Sequence, residues 1–169
     1  MRPQDRDLTR RTFLRAGTLA LAALAAGTHT PLEAAAPLAR EGDPDPLTGI
    51  IEPARKVVRA HFGDRPIRAG HVTMDTPETA PDGRQVPIFI DTDLPQTSTE
   101  YVKALHLIVD HNPDIYLAGY WLTPATGGAS IDTRIKMRRS SYVRVIAETN
   151  RGELWGTAKF VYVTLNGCV

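Results

Sequence analysis

Cys168 is the single cysteine of this 169-residue chain, and only Val169 follows it. A thiol can form a disulfide, bind a soft metal ion or hold a covalently attached group. Without a second cysteine for an internal bridge, the residue indicates pairing with another molecule or a working thiol, and an incidental residue on a frayed tail is the alternative. A free thiol of ordinary acidity is only about a few per cent thiolate at neutral pH. Cys168 is therefore expected to be a poor catalyst alone and better suited to carrying a group on which other proteins act.

The residues around Cys168 predict a short carrier arm, residues 166–169. The last predicted strand ends near Leu165, so Asn166 and Gly167 separate the thiol from the sheet, and Val169 follows it. Three extended residues reach roughly 10 Å, and Gly167 adds backbone freedom without side-chain bulk. Such an arm could insert the thiol into the cleft of another protein.

Other residue types that could do chemistry do not form a recognisable constellation. The serines lack a Gly-x-Ser-x-Gly elbow, and Ser140 and Ser141 follow two arginines in an expected turn. The histidines lack the close pairs of a zinc site. They are His29, His61, His71, His106 and His111. The sequence therefore predicts no catalytic residue, no metal and no cofactor other than a group attached to Cys168.

One helix and a series of strands must position the arm. Residues 47–63 carry apolar side chains at helical spacing, with Pro53 near the first turn and Gly63 as a C-terminal stop. After Pro66, short apolar or alternating runs are separated by turn-forming residues. These runs predict an all-β, immunoglobulin-like antiparallel sandwich of about seven strands, with an open barrel as the alternative. The runs cover residues 67–74, 86–92, 101–110, 115–122, 129–137, 142–149 and 154–165.

Alternation within the strands predicts which faces are covered. Residues 131–137 and 143–147 are apolar on one face, and the other face carries Asp132, Arg134, Lys136 and Arg144, as in a sheet with one solvated side. Residues 101–110 and 115–122 are apolar on both faces over part of their length, which fits central strands or a surface covered by another subunit. We expect these two strands to contribute to a partner interface.

The first 36 residues predict a twin-arginine export signal. Arg10 and Arg11 precede Phe13 and Leu14, and the apolar stretch that follows is too short to cross a bilayer as a stable helix. The mature protein is expected in the periplasm, with a linker and helix over residues 37–65 and a sandwich over residues 66–165. Without the signal, basic and acidic side chains nearly balance and no basic stripe remains, so neither a nucleic acid nor a membrane is expected as a partner.

Four segments resemble one known family. They are TPETAPDGRQVPIFIDTDLP, YVKALHLIVDHNP, DTRIKM and the terminal FVYVTLNGC, in that order between residues 67 and 168. They resemble SoxY, the sulfur-carrying protein of the periplasmic thiosulfate-oxidising Sox system, with which the predicted export signal also agrees.

The resemblance implies a sandwich that pairs tightly with a SoxZ-like subunit, as a heterodimer or heterotetramer, with Cys168 as the point of covalent attachment. It implies that a haem enzyme joins thiosulfate oxidatively to Cys168, that a hydrolase releases sulfate, and that a sulfur dehydrogenase oxidises the remaining persulfide. The carrier would itself catalyse nothing.

The tip departs from the family pattern. SoxY chains typically end in Gly-Gly-Cys-Gly-Gly, whereas Asn166, Gly167, Cys168 and Val169 stand here. A paralogue that serves another redox pathway is therefore an alternative. A further alternative is a non-catalytic interaction module in which Cys168 forms an intermolecular disulfide, including a disulfide-linked homodimer.

Overall fold

The computed structural model describes residues 45–165. Its helix α1, Glu52–Phe62, lies where helical periodicity predicts it. Pro53 occupies the first turn, where a missing N–H breaks no helical hydrogen bond. Gly63 ends the helix with φ 66°, and its N–H donates to the Arg59 carbonyl. No helix within residues 45–165 is both long and apolar enough to cross a membrane.

The strands of residues 45–165 form two sheets. The strands are β1 Ile67–Ala69, β2 Val72–Asp75, β3 Thr79–Ala80, β4 Val86–Thr92, β5 Val102–Val109, β6 Tyr116–Trp121, β7 Ile131–Ile135, β8 Ser141–Thr149 and β9 Leu154–Val163. The larger sheet has the order β1-β9-β8-β5-β6, with β3 also pairing with β9, and the smaller sheet has the order β2-β4-β7. All pairs are antiparallel except β1 and β3, which run parallel to β9.

The two sheets pack face to face around one apolar core. Ile88 and Ile90 of the smaller sheet belong to the same buried cluster as Leu105, Leu107 and Val145 of the larger sheet. Each such side chain contributes about 1.5–3 kcal/mol when fully buried. The predicted all-β sandwich is confirmed.

The predicted first strand, residues 67–74, divides into β1 and β2. Gly70 has φ 111° and His71 has φ 59°, so the chain turns sharply between them. β1 pairs with the beginning of β9, whereas β2 pairs with β4 in the other sheet. The chain therefore changes sheets within a run that looks continuous in sequence.

Helix α1 covers the second face of the larger sheet. Val58 and Phe62 pack with Ile108, Ile146 and Leu154 in a separate buried cluster. β5 is apolar on both faces because it is a central strand with the core on one face and α1 on the other. A partner subunit is therefore not needed to explain its apolar faces. β6, the other strand expected at a partner interface, lies at the end of the sheet order.

The outer face of β8 is not solvated as its alternation suggested. Arg144 is completely buried, and its Nε and Nη2 donate to the two carboxylate oxygens of Asp110 at 2.8 and 2.6 Å. Its Nη1 donates to the Pro46 carbonyl at 2.8 Å. Alternation assigns a side chain to a face but does not reveal what covers that face. On β7, by contrast, Asp132 and Arg134 are exposed as predicted.

Candidate functional site

The candidate site is the end of β9, where the chain leaves the sandwich toward Cys168. The Thr164 N–H donates to the Ala80 carbonyl at 3.1 Å, and its hydroxyl donates to the next carbonyl at 3.0 Å. The Leu165 carbonyl accepts a hydrogen bond from the Gly83 N–H at 3.1 Å. Hydrogen bonds to the end of β3 and to the loop after it therefore fix the chain as far as the last described residue. We call residues 163–165 the arm root.

A second segment, residues 137–140, is bonded to the arm root. The Val163 N–H donates to Ser140 Oγ at 2.9 Å, and the Met137 N–H donates to the Gly83 carbonyl at 2.7 Å. Ser141, which was expected in a turn, begins β8, and its Oγ accepts the His111 N–H at 3.1 Å. Both serine hydroxyls thus hold backbone in place. Sequence reasoning missed these anchoring roles, because the bonded residues are far apart in the chain.

The outer face of β9 beside the arm root is aromatic. Tyr142, Phe160 and Tyr162 form successive edge-to-face pairs, with ring centroids 5.1 and 4.9 Å apart. Tyr162 is 60% exposed and Leu165 is 65% exposed. Exposed aromatic and aliphatic side chains therefore lie next to the arm root.

The residues predicted to carry the chemistry lie outside the described part of the chain. Cys168 and the flanking arm residues Asn166, Gly167 and Val169 follow it. The signal residues precede it, and they are Arg10, Arg11, Phe13 and Leu14. Their assignments stay predictions.

The four histidines within residues 45–165 are dispersed. His61 stacks on Tyr116 with centroids 4.0 Å apart, and His71 Nδ1 lies 2.6 Å from an Asp93 carboxylate oxygen. His111 Nδ1 lies 2.9 Å from Arg139 Nη2. In this part of the chain no three His, Cys, Asp or Glu side chains are arranged to hold a metal ion.

A cluster of titratable groups surrounds Glu148 on the helix-covered face. Glu148 pairs with Arg65 at 2.5 Å and with Lys103 at 3.2 Å. Burial would raise the pKa of the Glu148 carboxyl, but the hydrogen bonds and charges of Arg65 and Lys103 outweigh it and hold that pKa below its usual value. Burial lowers the pKa of His106, and nearby Glu148 only partly offsets this effect. The His106 Nδ1 is 2.8 Å from the Tyr116 hydroxyl.

This cluster is too far from the arm root to act on the thiol. Glu148 pairs with Leu154 at the beginning of β9, whereas Ser141 pairs with Val161 near its end. Seven strand residues separate the two places, a distance of roughly 23 Å, and three extended residues beyond Leu165 reach only about 10 Å. The cluster instead ties Arg65, just after α1, to β5 and β8.

Taken together, the fold and the site define a β-sandwich whose anchored last strand leads into a short segment with a thiol. The family model of the sulfur oxidation protein SoxY matches residues 58–168, well over half of the chain and through Cys168. The chain therefore belongs to the SoxY family of sulfur oxidation proteins, and this membership supports a sulfur-carrier role.

Solved structures agree with the fold. The sulfur carrier protein SoxY from Chlorobium limicola f thiosulfatophilum is 21% identical, with a TM-score of 0.55 over 66% of this chain and 96% of that chain. A superoxide reductase (neelaredoxin) from Ignicoccus hospitalis is 14% identical, with a TM-score of 0.52 over 57% of this chain and 94% of that chain. At these identities the likeness concerns the fold alone. No curated protein matches the chain.

Proposed function

We propose that this protein is a covalent sulfur carrier of thiosulfate oxidation, with Cys168 as the attachment point. The observation that carries the proposal is that the family match extends through Cys168, three residues beyond the anchored Leu165. A thiolate can form and release sulfur–sulfur bonds through exchange, so it can hold a sulfur group without a bound cofactor. The solved Chlorobium relative is titled a sulfur carrier protein.

The proposal includes export and enzymes that act on the carried group. The twin-arginine pattern at Arg10 and Arg11 supports delivery to the periplasm. A haem enzyme would join thiosulfate to Cys168 through a sulfur–sulfur bond, accepting the two electrons while the thiol proton leaves to solvent. A hydrolase would use water to release sulfate, and a sulfur dehydrogenase would oxidise the remaining persulfide. The protein would act as their shared substrate rather than as an enzyme.

Intact mass measurement tests the proposal. The mature protein is taken from the periplasm of cells grown with thiosulfate, and its mass is recorded before and after a thiol reductant, with fragmentation to locate any addition. We expect sulfur-containing additions on Cys168 that the reductant removes. A bare thiol, or a disulfide between two copies of the chain, would contradict the carrier proposal and favour an interaction module.

We further propose that a SoxZ-like subunit binds along β6. This strand lies at the end of the described sheet order and carries Trp121, whose side chain is 76% exposed. Strand edges have unpaired backbone groups that another chain can bond, and exposed tryptophans are frequent centres of binding energy. The exposed edge of β6 therefore supports one half of the interface expected from sequence.

The Trp121→Ser variant is expected to weaken the complex with the SoxZ-like subunit by at least about thirtyfold, which is typical for loss of a central aromatic contact. The dissociation constant is measured by titration calorimetry with the separately purified partner. Phe89→Ser is the control, because Phe89 is 45% exposed on the smaller sheet. If Tyr162→Ser weakens binding and Trp121→Ser does not, the partner binds β9 instead.

A further inference from the structure

His111, Arg138 and Arg139 line an open cavity of about 290 Å³. This volume is close to the lower end of the roughly 300–1,000 Å³ that is usual for small-molecule sites. Asn112 holds the two sides together, since its Oδ1 accepts the Arg138 N–H at 2.9 Å and its Nδ2 donates to the Lys136 carbonyl at 2.6 Å. The Asn112 side chain thus fixes the backbone of residues 136–138 against the loop after β5. We call it the basic pocket.

The basic pocket offers hydrogen-bond donors. Guanidinium groups have no acceptor, so in the 2.9 Å contact Arg139 Nη2 donates and His111 Nδ1 accepts. The ring proton of a neutral His111 then lies on Nε2, which is also a donor. The ion pairs found among residues 45–165 include neither Arg138 nor Arg139. Such a lining fits an anion whose polar atoms are all acceptors.

The basic pocket lies beside the arm root. Ser140 follows Arg139 directly, and its hydroxyl accepts the Val163 N–H. Met137 precedes Arg138, and its N–H donates to the carbonyl of Gly83, whose own N–H donates to the Leu165 carbonyl. Two hydrogen bonds and one residue separate the backbones of Met137 and Leu165, a span on the order of 10 Å. Cys168 follows Leu165 by three residues and can extend over a similar distance.

We propose that the basic pocket binds the sulfonate end of the sulfur species carried on Cys168. This inference rests on the carrier function proposed above and adds a place where the loaded arm docks. A thiosulfonate adduct ends in three acceptor oxygens and one negative charge, which arginine donors bind with charge-assisted hydrogen bonds. The free thiol has no such group. Loading would therefore bring the arm to this pocket, and removal of the sulfonate would release it.

Nuclear magnetic resonance of the mature protein tests the docking. Tetrathionate loads the thiol in a balanced exchange. The Cys168 thiolate attacks one central sulfur, the central sulfur–sulfur bond breaks, the protein keeps Sγ–S–SO₃⁻, and thiosulfate leaves. The Nε–Hε signals of Arg138 and Arg139 are assigned from Arg138→Gln and Arg139→Gln. We expect both signals to shift on loading and to return after reductant, and we expect a Cys168→Ser protein with millimolar thiosulfate to show at most a small part of this shift. Shifts of full size in the Cys168→Ser protein would mean that the pocket binds free thiosulfate instead.

The rate of adduct removal gives a second readout. A thiolate reductant should strip the adduct about threefold to tenfold faster from the Arg138→Gln/Arg139→Gln protein, because the undocked sulfonate leaves the disulfide-like bond open to attack. Loss of two positive charges would by itself slow the removal of the adduct, because a less positive surface attracts an anionic reductant less strongly. Arg151→Gln is the matched control, because Arg151 follows β8 at the far end of the sheet and pairs with Glu100. Its rate should be unchanged.

The two proposals fail in different ways. A Cys168 without sulfur in cells, together with arginine shifts on chemical loading, would contradict the physiological carrier function and leave the pocket chemistry intact. Native sulfur adducts without arginine shifts, and with removal rates equal in all variants, would overturn the pocket inference and leave the carrier function standing.

Discussion

Cells in which Cys168→Ser replaces the native protein are expected to oxidise thiosulfate no faster than cells that lack the protein. A serine hydroxyl neither supplies a thiolate nor forms and breaks sulfur–sulfur bonds. Because Cys168 follows the anchored arm root, the substitution should leave residues 45–165 folded and the partner complex assembled. Oxygen uptake with thiosulfate measures the effect.

Asn166→Gly is the matched control for this prediction. It changes the arm next to the thiol, makes it more flexible and keeps Cys168. Cells with this variant should retain thiosulfate oxidation. Oxidation that persists in the Cys168→Ser cells would show that the thiol does not carry the sulfur, and the interaction-module alternative would replace the carrier function.

Asp110→Ala is expected to lower the free energy of unfolding by about 3–5 kcal/mol, because it leaves a buried guanidinium without its counter-charge. Arg144 is 0% exposed and Asp110 is 2% exposed. Arg144 Nε and Nη2 each donate to one carboxylate oxygen of Asp110, so the substitution leaves two buried donors without an acceptor. Urea unfolding, monitored by the fluorescence of the buried Trp155, measures the change.

Two further variants sharpen this test. Asp132→Ala removes a carboxylate from an exposed position on β7 and should change the free energy of unfolding by no more than about 0.5 kcal/mol. Asp110→Ala/Arg144→Leu removes both charges and should be more stable than Asp110→Ala alone, although the Pro46 carbonyl loses its donor. A loss below about 1 kcal/mol for Asp110→Ala would mean that solvent reaches the pair.

The sequence was sufficient for much of the fold because its turns carry strong signals. The strands β4, β5, β6 and β8 lie within one or two residues of their predicted bounds, and Gly63 ends α1 as expected. The division of residues 67–74 was not predicted, because the break at Gly70 and His71, which both have positive φ, lies within an otherwise continuous β-forming run. The strand Thr79–Ala80 is too short to show any periodicity.

The site was less accessible from sequence. From sequence alone, Arg138 and Arg139 belong to a basic turn and His111 is one of several dispersed histidines. Only the packing of the loop after β5 against the segment before β8 brings them together, through Asn112. The signal available in the sequence was the pair of arginines just before β8, because β8 is followed by β9 and then by the arm.

The anchored arm root limits how many of the proposed partner enzymes can reach the thiol at one time. Cys168 follows the fixed Leu165 by three residues, which span at most about 10 Å, so every active site must approach that same end of the sandwich closely. Two globular enzymes cannot occupy so small a region together. For a sulfur carrier, loading and each later reaction would then be separate encounters, and the rate at which one enzyme leaves would set how soon the next can begin.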